Sequence, residues 1–248
     1  MLPLPTPKRG GSLDLLQPFV NIGSEDDFTL LKAWLIGALR PRGPYPCLAV
    51  IGQQGSAKTF LSRVARELID PNKAPVRAQP RDERDMMIAA RNGWVIGFDN
   101  LSGLAPWLSD ALCRLATGAS FATRQLYTDA EESLFEAARP LILNGIDEVA
   151  TRGDLQDRSI VLSLPVISEE QRRTEAELWS AFRDAHQLIL GALLDAVSAA
   201  LRNERTVKLE KLPRMADFAR WVEAAGEALG SPTGSFMAAY DSNLRLRS

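Results

Sequence analysis

Cys47-Leu48-Ala49-Val50-Ile51-Gly52-Gln53-Gln54-Gly55-Ser56-Ala57-Lys58-Thr59-Phe60 is the stretch on which the fold turns. An apolar strand runs into a glycine-bearing loop. The loop ends in Lys-Thr and opens a helix whose Leu61, Val64, Ala65 and Leu68 fall at helical spacing. Strand, loop and helix in this order are the layout of a Walker A phosphate cradle. Gly52 and Gly55 lack a Cβ, so backbone N–H groups can turn inward around an anion. The helix N-terminus adds its dipole and unpaired donors. Lys58 would reach the β- and γ-phosphates of ATP, and the Thr59 hydroxyl would hold Mg²⁺. Ala57 stands where the second glycine of G-x-x-x-x-G-K-[ST] belongs. The sequence predicts that Ala57 has already entered the helix, where Ala is the best former, and that Gly55 makes the turn. The competing explanation is a glycine-rich turn ahead of an ordinary core helix. Gly52 to Phe60 form the candidate nucleotide-binding set.

Two further strand ends carry polar groups suited to that cradle. Trp94-Val95-Ile96-Gly97-Phe98-Asp99 is apolar and ends in a carboxylate. Asp99 is placed as a Walker B residue that holds the Mg²⁺ hydration shell beside Thr59, the alternative being a turn cap. Asn100 follows, where a base would orient the attacking water. An amide positions water but takes up no proton. Pro140-Leu141-Ile142-Leu143 leads to Asn144, a candidate for orienting water near the γ-phosphate, although Asn144-Gly145 is also a strong turn pair. Arg158 precedes the last core strand and is the candidate arginine finger acting on a neighbouring subunit, with Arg152 second and a salt bridge to Asp154 or Asp157 as the alternative. Arg214 opens a C-terminal helix after Leu212-Pro213, and is a candidate cation reaching the nucleotide from a helical lid. Phe121 to Ala138 is predicted to be a β-hairpin in which Arg124 would contact a DNA phosphate and Tyr127 stack on a base. The acidic Asp129, Glu131 and Glu132 at its tip leave a structural hairpin as the other reading.

At 248 residues the chain has room for one large α/β domain, or one domain with a small appendage. A net charge of −2 carries no global signature of nucleic-acid binding, so any DNA contact needs a local patch or a pore built by several subunits. Cys47 and Cys113 have no nearby Cys or His, and His186 is the only histidine, which disfavours a zinc site and suits a reducing cytoplasm. His186 is expected to be partly exposed. The N-terminus has no apolar run typical of a signal peptide. The apolar stretch around Leu188 to Leu201 is interrupted by Asp195 and is judged too short to span a bilayer, so no membrane partner is expected.

Residues 1–22 are expected to be a leader or linker, with Leu13 to Ile22 extended. Residues 23–165 alternate helix and strand, which implies a mostly parallel sheet flanked by helices. Ser24 is expected to cap a helix whose Phe28, Leu31, Leu35 and Ala38 share one face. Residues 166–248 read as an all-helical unit.

Taken in order, Gly52 to Thr59, Phe98-Asp99-Asn100-Leu101-Ser102, Trp107 to Arg114, Leu143-Asn144-Gly145-Ile146 and Pro213 to Phe218 resemble the AAA+ (ASCE) P-loop ATPases. The likeness covers most of residues 13 to 242. More closely, the chain resembles helicase-like ATP-binding proteins of prophages and integrated elements, related to superfamily 3 helicases. The resemblance implies a P-loop NTPase core with a helical lid, and ATP and Mg²⁺ as ligands. It also implies a homo-oligomeric ring such as a hexamer, and ATP-driven translocation on or unwinding of DNA. Proteins of this kind often carry a primase-like part upstream or a DNA-binding part downstream. This chain has room for neither, which implies either a truncated piece or a remnant that works with a primase or another replication partner. The rival expectations are a P-loop ATPase that remodels or loads a protein, and an ATP-dependent switch with little hydrolysis.

Overall fold

Apolar strands without polar alternation need cover on both faces. The structure, a computed structural model, describes residues 2–118, 120–124, 132–146, 152–232 and 234–245. Its strands are β1 (Cys47–Ile51), β2 (Ile96–Leu101), β3 (Ser120–Arg124), β4 (Glu132–Glu136), β5 (Leu141–Gly145) and β6 (Ser159–Ser163). Four of them form a parallel sheet in the order β2-β5-β1-β6. Arg77 bridges to Phe98 along the outer side of β2. Because the strands are parallel, their carboxyl ends share one edge.

Side chains of β1 alternate between two cores. Leu48 and Val50 enter one, Cys47 and Ala49 the other; β5 repeats this with Ile142 against Leu141 and Leu143. The first face is covered by α1 (Glu25–Ala38), α2 (Lys58–Glu67), α6 (Glu175–Asn203), α7 (Ala216–Ala225) and α8 (Ser235–Arg245). The second is covered by α3 (Glu83–Arg91), α4 (Pro106–Thr117) and the short α5 (Gly153–Gln156).

Ser24 caps α1 as expected, accepting from the Asp27 N–H at 3.1 Å. Phe28, Leu31, Leu35 and Ala38 are buried, and so is every other residue from Phe28 to Ala38. The helix lies between β6 and the C-terminal helices, so no side of it meets water. Two tryptophans satisfy carbonyls at its C-terminal end: Trp221 Nε1 donates to Ile36 O at 2.9 Å and Trp94 Nε1 to Ala38 O at 2.8 Å.

Part of the segment expected as a leader or linker packs into the core. Leu13–Phe19 form a 3-10 helix where extended chain was expected, and Leu13, Leu16 and Phe19 are buried, with α6 as the helix's main neighbour. One continuous apolar core runs from Leu13 to Tyr240, so the 23–165 and 166–248 stretches share it. α6, at 29 residues, is longer than its apolar stretch suggested and by length and composition alone is long and apolar enough to cross a membrane, but its Phe182, Ile189, Leu193 and Ala196 are buried in the protein core. His186 on α6 is buried against Phe182, not partly exposed, and burial pushes its imidazole below the usual histidine range.

β3 and β4 pair antiparallel with Arg124 opposite Glu132, which is the predicted hairpin. Tyr127, Asp129 and Glu131 lie outside the described residues.

The N-terminal chain crosses α6 at a glycine. The Lys8 N–H donates to Gln187 O at 2.8 Å, and a Cβ at Gly191 would collide with the Lys8 carbonyl. Replacing Gly by Ala inside a helix ordinarily stabilises by about 1 kcal/mol. Gly191→Ala is expected to destabilise instead, by about 1–3 kcal/mol of overpacking. A urea titration would show a lower midpoint, and limited proteolysis would show faster cleavage near Lys8; a raised midpoint would contradict the crossing.

Candidate functional site

β1 delivers the chain to the carboxyl edge of the sheet, where Gly52 turns it with φ 151°. A Cβ there would sit 2.7 Å from Leu164 O and 2.9 Å from Ser56 Oγ, so only glycine lets the loop lie this close to β6. Gly55 follows with φ 84°. Ala57 corrects the sequence expectation. It adopts φ 63°, ψ 28° as the N-cap residue and stands outside α2, in the left-handed conformation that glycine tolerates best. The loop is braced from two distant segments. Asn21 Nδ2 donates to Ser56 O at 3.1 Å and to Pro165 O at 2.6 Å, and the Ile167 N–H reaches Gly55 O at 3.3 Å.

Lys58 is folded back over this loop. Its ammonium donates to Gly52 O at 2.7 Å and Gln53 O at 2.8 Å, with Ser56 Oγ 3.4 Å away. Burial pushes it below the usual lysine range, and the Asp99 carboxylate opposes that shift. One residue on, Thr59 Oγ1 donates to both Asp99 oxygens, at 3.0 and 3.2 Å. A hydroxyl and a carboxylate in contact, 40 residues apart in sequence, are donors suited to a hydrated divalent cation.

Asp99 and Asn100 both lie within β2, where the pairing with β5 is irregular between Phe98 and Leu101 and Asn100 takes φ 55°. Asn is among the residues that accept this conformation. Asn144 belongs to β5, so Asn144-Gly145 is strand and not turn. Its buried amide accepts from the Asn100 N–H at 2.8 Å and donates to Ser62 Oγ at 3.1 Å, and Ser62 Oγ donates to Lys58 O at 2.9 Å. One side chain thus ties β5, β2 and α2 together beside the loop.

These groups open onto a cleft of about 970 Å³. Gln54, Gly55, Ala57, Lys58, Thr59, Phe60, Asp99, Asn100 and Asn144 line it, while Gly52, Gln53 and Ser56 support it from the loop's own hydrogen bonds. Its other walls were not legible from the sequence: Phe19, Val20 and Asn21 from the N-terminal segment, and Ile167, Arg172, Arg173 and Leu178 from the start of the C-terminal helices. Ser62 was also missed, although a serine on the apolar face of α2 is a usable signal. Phe60 packs on Trp179 with ring centroids 5.0 Å apart.

The other arginine candidates stand elsewhere. Arg214, expected at the nucleotide, lies outside the cleft lining and pairs with Asp157 at 2.8 Å and Asp154 at 2.9 Å. Asp154 is shared with Arg158, whose hydrogen bond and charge, then those of Arg214, hold its carboxyl below the usual range. Arg152 pairs with Asp110 at 3.3 Å. Arg124 is placed by its backbone in β3 alone, and Tyr127 lies outside the described residues.

A protein-family model described as actinomycete integrative conjugative element replication protein matches residues 13–244. Comparison with curated proteins gives no match. Among solved structures, the A form apo structure of the NrS-1 C-terminal region is similar, with a TM-score of 0.55 at 12% identity, covering 91% of this chain and 55% of that one. Two further apo structures of that region (305–718) give TM-scores of 0.52 and 0.53 at 11% identity. They are covered over 52% and 55% of their length, against 96% and 98% of this chain. The likeness is one of fold, and this chain spans about half the length of the structures it matches.

The left-handed Ala57 generates a prediction. An L-residue there costs about 1–2 kcal/mol, partly offset by the lower chain entropy of Ala relative to Gly. Ala57→Gly is therefore expected to raise stability by about 0.5–1 kcal/mol in urea unfolding. A loss of about 1 kcal/mol, the result for a residue inside the helix, would contradict the assigned conformation.

Proposed function

This chain belongs to the actinomycete integrative conjugative element replication proteins, and from that premise we propose that it is a magnesium-dependent ATPase acting on DNA. The reading is an AAA+ type P-loop motor that translocates on or unwinds the element's DNA as a ring. The observation that carries it is the contact of Thr59 with Asp99 beside the Lys58 ammonium, at the mouth of a glycine loop open to the cleft.

In this reading the loop N–H groups hold the β-phosphate, and Lys58 exchanges its bonds to Gly52 O and Gln53 O for phosphate oxygens. Thr59 and Asp99 would hold Mg²⁺, which when bound neutralises developing charge on the phosphates. Asn144, fixed by Asn100 and Ser62, orients water at the open side of the site. Arg158 supplies the finger in trans. A residue acting on the neighbour is absent from its own cleft, as Arg158 is. Asn100 favours a second reading, an ATP-dependent switch with slow turnover, because its amide cannot take up a proton.

Lys58→Ala removes a charge-assisted contact worth roughly 1.5–3 kcal/mol, so titration calorimetry should show ATP affinity lowered by about tenfold or more. Unchanged affinity would refute the assignment of the loop. Turnover measured with and without single-stranded DNA separates the readings: stimulation supports the motor, and binding without turnover supports the switch.

Assembly is tested by mixing. Fingers in trans contribute on the order of a thousandfold or more in rate, whereas an exposed salt bridge contributes about 0–1 kcal/mol of stability. Arg158→Ala should bind ATP nearly normally and lose turnover. A mixture of Arg158→Ala and Lys58→Ala subunits should recover some activity, since one interface can pair an intact loop with an intact Arg158. Full activity of Arg158→Ala alone, or a mixture that co-assembles and stays inactive, would reject the finger.

A further inference from the structure

The cleft carries two cations that the ATPase reading leaves without a task. Its charged lining consists of Lys58, Arg172 and Arg173 against Asp99 and Glu175. Without the two arginines, one positive charge would face two negative ones, a poor setting for a triphosphate. Glu175 is engaged by Arg63 at 2.9 Å, and Lys58 already donates to its own loop. The lid cation expected at Arg214 is held away by Asp154 and Asp157. The site as built therefore draws its spare positive charge from the segment between β6 and α6.

That segment is attached to the glycine loop. The Ile167 N–H bonds Gly55 O, a single 3-10 turn (Glu169–Gln171) follows, and Thr174 caps α6 through a capping box with Glu177. Arg172 and Arg173 thus sit on a short tether between two fixed points. They are not equivalent. Arg173 directly precedes the Thr174 cap, beside Glu177, whose carboxyl is held below its usual range first by its hydrogen bonds to Thr174 and last by the Arg173 charge. The Arg172 side chain is exposed and has no hydrogen bond or ion pair among the described residues.

We propose that Arg172 binds the phosphate chain of the nucleotide in cis, in place of the lid arginine sought at Arg214. This rests on the nucleotide reading of the cleft. A guanidinium offers a planar fork to phosphate oxygens, and because Arg172 has no partner to give up, it binds without breaking an existing contact.

The test is calorimetric titration of MgATP, ADP and AMP into the wild-type chain and the variants Arg172→Ala, Arg172→Lys, Arg173→Ala and Lys58→Ala, with thermal unfolding of each unliganded protein. Arg172→Ala should weaken ATP and ADP by about fivefold to twentyfold and AMP by clearly less, with an unliganded midpoint equal to wild type. Arg172→Lys should recover much of the loss, since a point charge still serves phosphate while stacking on a base would not be rescued. Unchanged ATP affinity in Arg172→Ala, a loss confined to Arg173→Ala, or an equal loss for all three nucleotides would overturn the proposal while leaving the Lys58 reading intact. Failure of the wild-type chain to bind any nucleotide would overturn both.

Discussion

A parallel sheet buried on both faces leaves only the ends of its strands for chemistry, and the molecule follows from that constraint. β1 lies between β5 and β6, so Gly52, Asn144 and Leu164 converge at one edge, with Asp99 one strand further out. The same constraint explains the length of the C-terminal helical stretch. Leu48, Val50, Ile142, Ile160 and Leu162 all face one side, and a surface of that size needs more than α2 to cover it. α1 fills much of the gap, α8 packs on both α1 and β6, and α6 and α7 pack on α1.

The edge itself is held by polar contacts that the low exposure makes expensive to leave unmade. Asn144 has 1% relative exposure and satisfies the Asn100 N–H and the Ser62 hydroxyl together. An unpaired buried donor costs about 1–3 kcal/mol, so a smaller side chain at 144 would release β2 from α2 as well as removing an amide from the site. Thr59 and Asp99 form the exposed counterpart of this arrangement. Their contact is made of groups that can exchange one another for a cation and its water, whereas the buried contact fixes where they stand.

Local chemistry was legible in the sequence, and long-range chemistry was not. Gly52 to Thr59, Asp99 and Asn144 announce themselves because each lies in or at the end of an apolar strand or the loop that follows one, and the structure places Gln54, Gly55, Ala57, Lys58, Thr59, Asp99 and Asn144 along one cleft. Asn21, Ile167, Arg172 and Leu178 give no such signal, since each reaches the loop or the cleft through a fold-level crossing. Arg214 was misplaced for the same reason: its partners Asp154 and Asp157 lie 60 and 57 residues back in the chain. Ala57 was misread differently. Helix propensity describes a residue with helical dihedrals, and the residue before Lys58 has left-handed ones. The amphipathic pattern in α1 was real but incomplete, because periodicity reports the most apolar face and says nothing of a helix enclosed on every side.

The apparent boundary near residue 165 is where that failure has consequences for function. Composition changes there, yet the described residues on either side share one apolar core. Phe19 packs edge-on against Phe182, Phe182 edge-on against Trp179, and Trp179 at a tilt against Phe60, with centroid separations of 5.0 to 5.6 Å. Phe19 and Phe60 are also walls of the cleft. The aromatic chain thus passes behind the site and joins the N-terminal segment, α6 and the helix that carries Thr59. Aromatic pairs of this kind contribute about 0.5–1.5 kcal/mol each beyond the area they bury. Phe19 and Phe60, the two ends of that chain, are thus cleft walls held in place by α6, so the cleft is shaped by packing that spans the N-terminal and C-terminal segments.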